Sequence, residues 1–185
     1  MTHGPFSIER ATRADVPRIL EIANWAALHT TANFALEPEP LSEWEASYDK
    51  TCVMYPWLVT RVNEEIVAWA KGGPHRPRGA YNHSAEVSVY VDQRYHGQGV
   101  GRALYNVLLP LLKAQGYAVL LAGITSPNPA SERLHASVGF TRCSMFHRIG
   151  YKFDTWLDVG YWELIVRDGD APPPLLKPVD EVWGG

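Results

Sequence analysis

Apolar residues recur along the chain in two periods. Val100, Ala103, Leu104, Val107, Leu108, Leu111 and Leu112 form the stripe of a helix packed on a sheet. Pro110 lies inside that stripe and predicts a kink or a break, and Gly116 marks the helix end. Ala85 to Val91 alternates with the period of a strand, and Phe6 to Arg10 reads as a short strand. Thr12 and Asp15 make a capping pattern that opens a helix turning Val16, Ile19, Leu20 and Ala23 inward. Ser42 and Glu45 repeat the pattern ahead of a second, short helix. The intervening loop, Thr30 to Pro40, with Asn33 and Phe34 near its centre, is a candidate to face a ligand. Trp57 to Val62, the Asn63-Glu64 turn and Ile66 to Ala70 predict a hairpin, so the sheet begins antiparallel. Ala118 to Ile124 reads as a buried strand and Ser126 to Pro129 as a turn. Ala130 to Ser137 is long enough for a two-turn helix, a strand starts at Phe140, and Trp156 to Val166 supplies the last one. The proline-rich tail has too little periodicity for a helix or strand, and reads as an extended arm wrapped on the surface or as disordered.

Between the alternating strand and the long helix lie Gly97, Gly99 and Gly101. Such a turn lets backbone N–H groups close on an anion at the helix start, which suits phosphate. The spacing is not that of the common nucleotide loops. A P-loop needs Lys-Ser/Thr after the last glycine, where Arg102 and Ala103 stand, and the dinucleotide fingerprint needs G-x-G-x-x-G with an acidic residue downstream. An ordinary tight strand-to-helix connection is the alternative.

With 185 residues and 46% apolar content the chain fits one domain, residues 1–185, with its core at about 6–168 and the tail at 169–185. A net charge of −3 without a basic stripe argues against a nucleic-acid partner. Cys52 and Cys143 lie far apart outside any Cys/His cluster, which fits two inert thiols in a reducing compartment and no metal site. No apolar run has the length of a signal peptide or a membrane span, so the expected location is cytoplasmic.

His96-Gly97-Gln98-Gly99-Val100-Gly101 resembles the Q/R-x-x-G-x-G/A pyrophosphate motif of the GNAT superfamily of N-acetyltransferases, with His96 in place of Gln or Arg. The element order is similar to that superfamily's as well. The fold implied is α/β (α+β), a mixed central sheet of about six or seven strands with flanking helices. The strings YPWLV, AEVSVYV, SERLHASVGF and GYKFDTWLDVGYWEL, with NFALEP and the HRPRGAY loop, resemble the phosphinothricin acetyltransferase group over residues 6 to 168.

The resemblance implies acetyl-CoA as co-substrate and a small-molecule amine as acceptor. The loop from His96 to Gly101 with Arg102 would bind the cofactor, Arg94 offering a further charge, and Val89, Tyr90 and Val91 would bind its pantetheine arm and the oxyanion. Asn128 stands where a family Asn contacts that arm, and His135 where many relatives carry Tyr. Glu86 matches the general base, which the chemistry requires because an α-ammonium group must lose a proton before it attacks. His135 would relay a proton or orient substrate, and Tyr90 would also line the substrate side. A solvated strand face is the alternative for Glu86, a structural histidine for His135, and a cross-strand contact for Tyr90. Arg76 and Arg78 match basic residues of the substrate loop, suited to oxyanions. HRPRGAY also reads as a plain solvated turn. Phe34 matches an aromatic that covers the ligand, whereas Tyr81 and Trp156 read as packing residues. Trp156, Tyr161 and Trp162 would face a second subunit in the homodimer the resemblance implies, or pack within one subunit. The rival functions are acetylation of another amine (a polyamine, antibiotic or protein N-terminus) and non-catalytic acyl-CoA binding.

Overall fold

A computed structural model describes residues 2–3 and 6–184. The extreme ends of the 1–185 domain and of the tail therefore lie outside the described residues. The elements, in chain order, are β1 (Thr2–His3), β2 (Phe6–Arg10), α1 (Val16–His29), α2 (Leu41–Thr51), β3 (Trp57–Val62), β4 (Glu65–Pro74), β5 (Ser84–Val91), α3 (Val100–Gln115), β6 (Val119–Ser126), α4 (Pro129–Ser137), β7 (Thr141–Lys152), β8 (Thr155–Ile165) and α5 (Val179–Val182). They build one mixed sheet in the order β1-β2-β3-β4-β5-β6-β8-β7. Seven strands are of ordinary length, and β1 adds two residues to the edge. Every neighbouring pair is antiparallel except β5 with β6, which α3 joins as a crossover.

Alternation sorts the side chains between two layers. Leu58, Ala68, Ala70, Ala85 and Val87 pack under α3, whose Val100, Leu104, Val107, Leu108, Leu111 and Leu112 are all buried as the stripe predicts. On the other face Ile19, Ile22 and Ala23 of α1 meet Trp57, Val59 and Trp69, with Trp44 and Tyr48 of α2 edge-on to Trp57. The Asn63-Glu64 turn has positive φ at both residues, 48° and 65°, the geometry that closes a two-residue hairpin.

Four expectations change. α3 runs unbroken through Pro110, an exposed position. α2 starts one residue before Ser42, with Pro40 as its N-cap and no side-chain cap bond, so Ser42 lies within the helix. β4 continues past Ala70 to Pro74, because Gly72 and Gly73 keep pairing with Val87 and Glu86. The tail is an arm on the surface that does contain a helical turn, α5. Its Lys177 and Val179 N–H groups donate to the Gln115 and Val53 carbonyls, and Val179 is fully buried. Among the described residues no helix is long and apolar enough to cross a membrane, and no cluster of His, Cys, Asp or Glu is disposed to hold a metal. Cys52 and Cys143 are free thiols.

Candidate active site

The parallel ladder between β5 and β6 is short. It pairs Ser84 with Val119, Ala85 with Leu120 and Glu86 with Leu121, and then the strands part. β5 stays paired with β4 as far as Val91, and β6 with β8 as far as Ser126, so Val87–Val91 and Ala122–Ser126 each lose a sheet partner on one side only. Backbone polar groups without partners must find them in water or in a ligand. The opening is a cleft of about 530 Å³ through the sheet, bordered by Val87 to Val91, the glycine loop, Tyr105, Asn128 and His135.

The three glycines do two different jobs. Gly97 and Gly99 have φ of 73° and 81°, and an added Cβ would meet nothing within 4 Å, so they are needed for backbone conformation. Gly101 has an ordinary φ, but a Cβ there would lie 3.1 Å from Leu134 Cδ2, so that side chain would have to give by a few tenths of an ångström. The loop ends at Gly99, the N-cap of α3, whose first turn holds no acidic residue. The first N–H groups of a helix lack intrahelical acceptors, so this end is disposed to bind an anion. Arg102 and Arg133 stand on the cleft's border. His96 turns its Nε2–H to the Val91 carbonyl (2.9 Å) and Gln98 donates to the Arg94 carbonyl (3.0 Å), so both side chains fasten the loop. Arg94 does not offer its charge to the cleft: its guanidinium pairs with Asp92 and Glu65. The same pairing holds the Asp92 carboxyl well below its usual range.

Glu86 is the last residue of β5 to pair with β6, and it adjoins the cleft at Val87 without itself bordering it. Its parity sets it with Ser88 and Tyr90 on the face of α1 and α2. Oε1 accepts a hydrogen bond from His75 Nδ1 at 2.7 Å. His135 is buried against Tyr105 and Phe140. Its Nδ1 lies 2.8 Å from the Ser131 carbonyl, which can only accept, so Nδ1 carries the proton and Nε2 accepts from the Tyr105 hydroxyl at 2.9 Å. Burial lowers the His135 pKa and raises that of Tyr105, which keeps both neutral. Asn128 caps α4 through Oδ1 to the Ser131 N–H at 3.2 Å, and its Nδ2 has no partner among the described residues.

Tyr90 stacks on Trp69 and donates to the Ala32 carbonyl at 3.2 Å, tying the loop after α1 to β5, and burial pushes its pKa up to about 12. Phe34 does not border the cleft. It lies on Gly150 of β7, where a Cβ would come within 2.3 Å of its ring. Lys152 holds the same loop with its ammonium on the Ala27, Asn33 and Ala35 carbonyls. Arg76 and Arg78 are exposed beside His75 and do not border the cleft. Tyr81 is exposed too, its ring edge-on to His75. Trp156 is exposed rather than packed in a core, with Tyr151 edge-on and Arg148 over its ring, while Trp162 packs on the main core.

His75, Tyr105 and Lys71 were missed from the sequence. Tyr105 follows Gly101 by one helical turn, so the helix period could have found it. His75 was hidden because the strand was expected to end at Ala70, whereas Gly72, Gly73 and Pro74 carry β4 onward beside β5. Lys71 is paired in register with Trp57 and Ser88, and its ammonium lies 4.2 Å from the Trp57 ring centroid.

The comparisons agree with this geometry. The profile of the acetyltransferase (GNAT) domain matches residues 8–160. The chain is 37% identical to phosphinothricin N-acetyltransferase of Streptomyces viridochromogenes, covering 96% of this chain and 97% of that one. It is 35% identical to the L-methionine sulfoximine/L-methionine sulfone acetyltransferase of Salmonella typhimurium, over 90% and 98% of the two chains. The structure of yncA from Salmonella typhimurium with its cofactor acetyl-CoA superposes with a TM-score of 0.87 at 35% identity, covering 91% of this chain and 98% of that one. A cleft opened by parting strands, a glycine loop at its end and near full-length relatives of one kind lead to a single conclusion: this chain belongs to the GNAT family of acetyltransferases.

Proposed function

We propose that the protein is an acetyl-CoA-dependent N-acetyltransferase acting on the α-amine of a small amino-acid analogue of the phosphinothricin, methionine sulfoximine or methionine sulfone type. The observation that carries this reading is the parting of β5 from β6 just after Glu86, which opens a cleft that ends on a glycine loop. The N–H groups of the loop and of the first turn of α3 hold the pyrophosphate, with Arg102 beside them. The backbone of Val89, Tyr90 and Val91 holds the pantetheine arm as a strand partner would, and Asn128 bonds the same arm through Nδ2.

Glu86 takes the proton of the substrate ammonium, directly or through a water. The neutral amine attacks the thioester carbonyl, so a C–N bond forms, and backbone N–H groups at Val89 to Val91 stabilise the resulting oxyanion. The nitrogen then gives up its second proton to solvent water, the C–S bond breaks, and the sulfur leaves as a thiolate that takes up one proton. We assign its delivery to the Tyr105 hydroxyl, which is hydrogen-bonded to His135 on the cleft's border and regains a proton from solvent. No covalent enzyme intermediate is needed, so Cys52 and Cys143 take no part. Arg76 and Arg78, exposed in the loop that carries His75, meet the acidic head group from outside the cleft. The two free thiols suit a cytoplasmic setting.

Glu86→Ala tests the reading. It lowers kcat by ~10²-fold or more while the affinity for acetyl-CoA, measured by calorimetry, stays near that of the parent. Unchanged turnover would remove Glu86 from its role as base.

A further inference from the structure

Glu86 is held by a neighbour that its strand pairing brings alongside. β4 runs beside β5 through Gly73 opposite Glu86 and Pro74 opposite Ala85, so His75, the next residue, emerges beside the carboxylate. The contact is short, 2.7 Å from Nδ1 to Oε1. The two side chains differ in exposure, 14% for His75 and 42% for Glu86. The histidine is thus the fixed partner, with the Tyr81 ring edge-on to it at 5.6 Å, and the carboxylate is the half that meets solvent.

A carboxylate accepts only, so the proton of the pair sits on His75 Nδ1. One oxygen of Glu86 is then occupied and its rotation about the terminal torsion, otherwise broad, is stopped. The other oxygen, Oε2, makes no hydrogen bond among the described residues. We propose that His75 is a positioning residue for the base: by pinning Oε1 it leaves Oε2 as the single oxygen presented to the substrate amine. The inference rests on Glu86 being the base. Its scale follows from the sensitivity of proton transfer to placement, since a displacement of about 1 Å costs up to ~10²-fold in rate.

The experiment is steady-state thiol release from acetyl-CoA with methionine sulfone for His75→Phe, His75→Asn and His75→Gln, each also made in a Glu86→Ala background. His75→Phe keeps a ring against Tyr81 but removes the donor, and lowers kcat about 10- to 100-fold while KM for acetyl-CoA stays within about twofold. Asn puts an amide N–H where Nδ1 stood and recovers most of the loss, whereas Gln, whose amide falls nearer the Nε2 position, does not. In the Glu86→Ala background all three substitutions are silent, because there is no carboxylate left to orient. Two outcomes overturn the proposal with the base intact: His75→Phe and His75→Asn both turning over like the parent, or the loss from His75→Phe recurring undiminished in the Glu86→Ala background. Parent-like turnover of Glu86→Ala alone would instead overturn the reading of the base. A variant that folds poorly is recognised by its circular dichroism, and the Asn and Gln comparison then decides.

Discussion

Lys71 has no hydrogen-bond or ion-pair partner among the described residues, and its ammonium rests between the rings of Trp57 and Trp44. Burial pulls its pKa from 10.5 down to about 8, against a smaller upward pull from Glu39. Below pH 8 the folded and unfolded chains both carry the charge, and the cost of holding it is fully present. Between pH 8 and 10.5 the unfolded chain binds more protons, so stability rises with pH across that window. Lys71→Met therefore stabilises the protein at pH 7, by about 1–3 kcal/mol, and the gain over the parent fades as pH climbs toward 10.5. Thermal unfolding of the two proteins at pH 7 and pH 10 reads this directly. A lower Tm for the variant at pH 7 would show that the rings hold the ammonium well enough to outweigh its burial.

At the scale of elements, β7 is an edge strand with an exposed apolar surface. It forms the sheet edge beyond β8, yet Phe146, Ile149 and Tyr151 on it, Phe153 at the hairpin turn and Trp156 on β8 are all exposed. A long apolar edge invites association unless a partner covers it. We propose that a second copy of this chain does so. Light scattering at micromolar concentration is expected to give twice the 20.7 kDa chain mass, and Ile149→Lys to halve it. A parent protein of single-chain mass would contradict this. Elements with strong periodicity or firm punctuation were legible in the sequence: α3 from its stripe, the β3–β4 hairpin from Asn63-Glu64, and the entry to α1 from Thr12 and Asp15, which do form a capping box. What escaped was set by contacts made from elsewhere. Gly72 and Gly73 extend β4 only because β5 lies beside them, and the turn of α5 forms where Val179 is buried and bonded to Val53. For the same reason the site was legible in part. Glu86, His135 and the glycine loop follow from pattern and resemblance, whereas the hydrogen bonds of His75 to Glu86 and of Tyr105 to His135 depend on register and helix packing. The seat of Phe34 on Gly150 joins residues over a hundred positions apart that no local period connects.

Taken whole, the described residues form a sheet that parts at one vertex, and the proposed chemistry is built on that vertex. Among the described residues six antiparallel pairings carry the sheet on both sides, while the single parallel pair lasts three residues and leaves the cleft. α3 supports the cleft from one face, and α1 with its following loop, held by Lys152 and Tyr90, borders it from the other. The measurement that bears most directly on this account is free-thiol release from acetyl-CoA by the purified protein against phosphinothricin, methionine sulfoximine, methionine sulfone, spermidine, an aminoglycoside and short peptides. The account predicts fast release with the three amino-acid analogues and background rates with the rest. Release confined to the other amines, or acetyl-CoA binding without release for any of them, would contradict it.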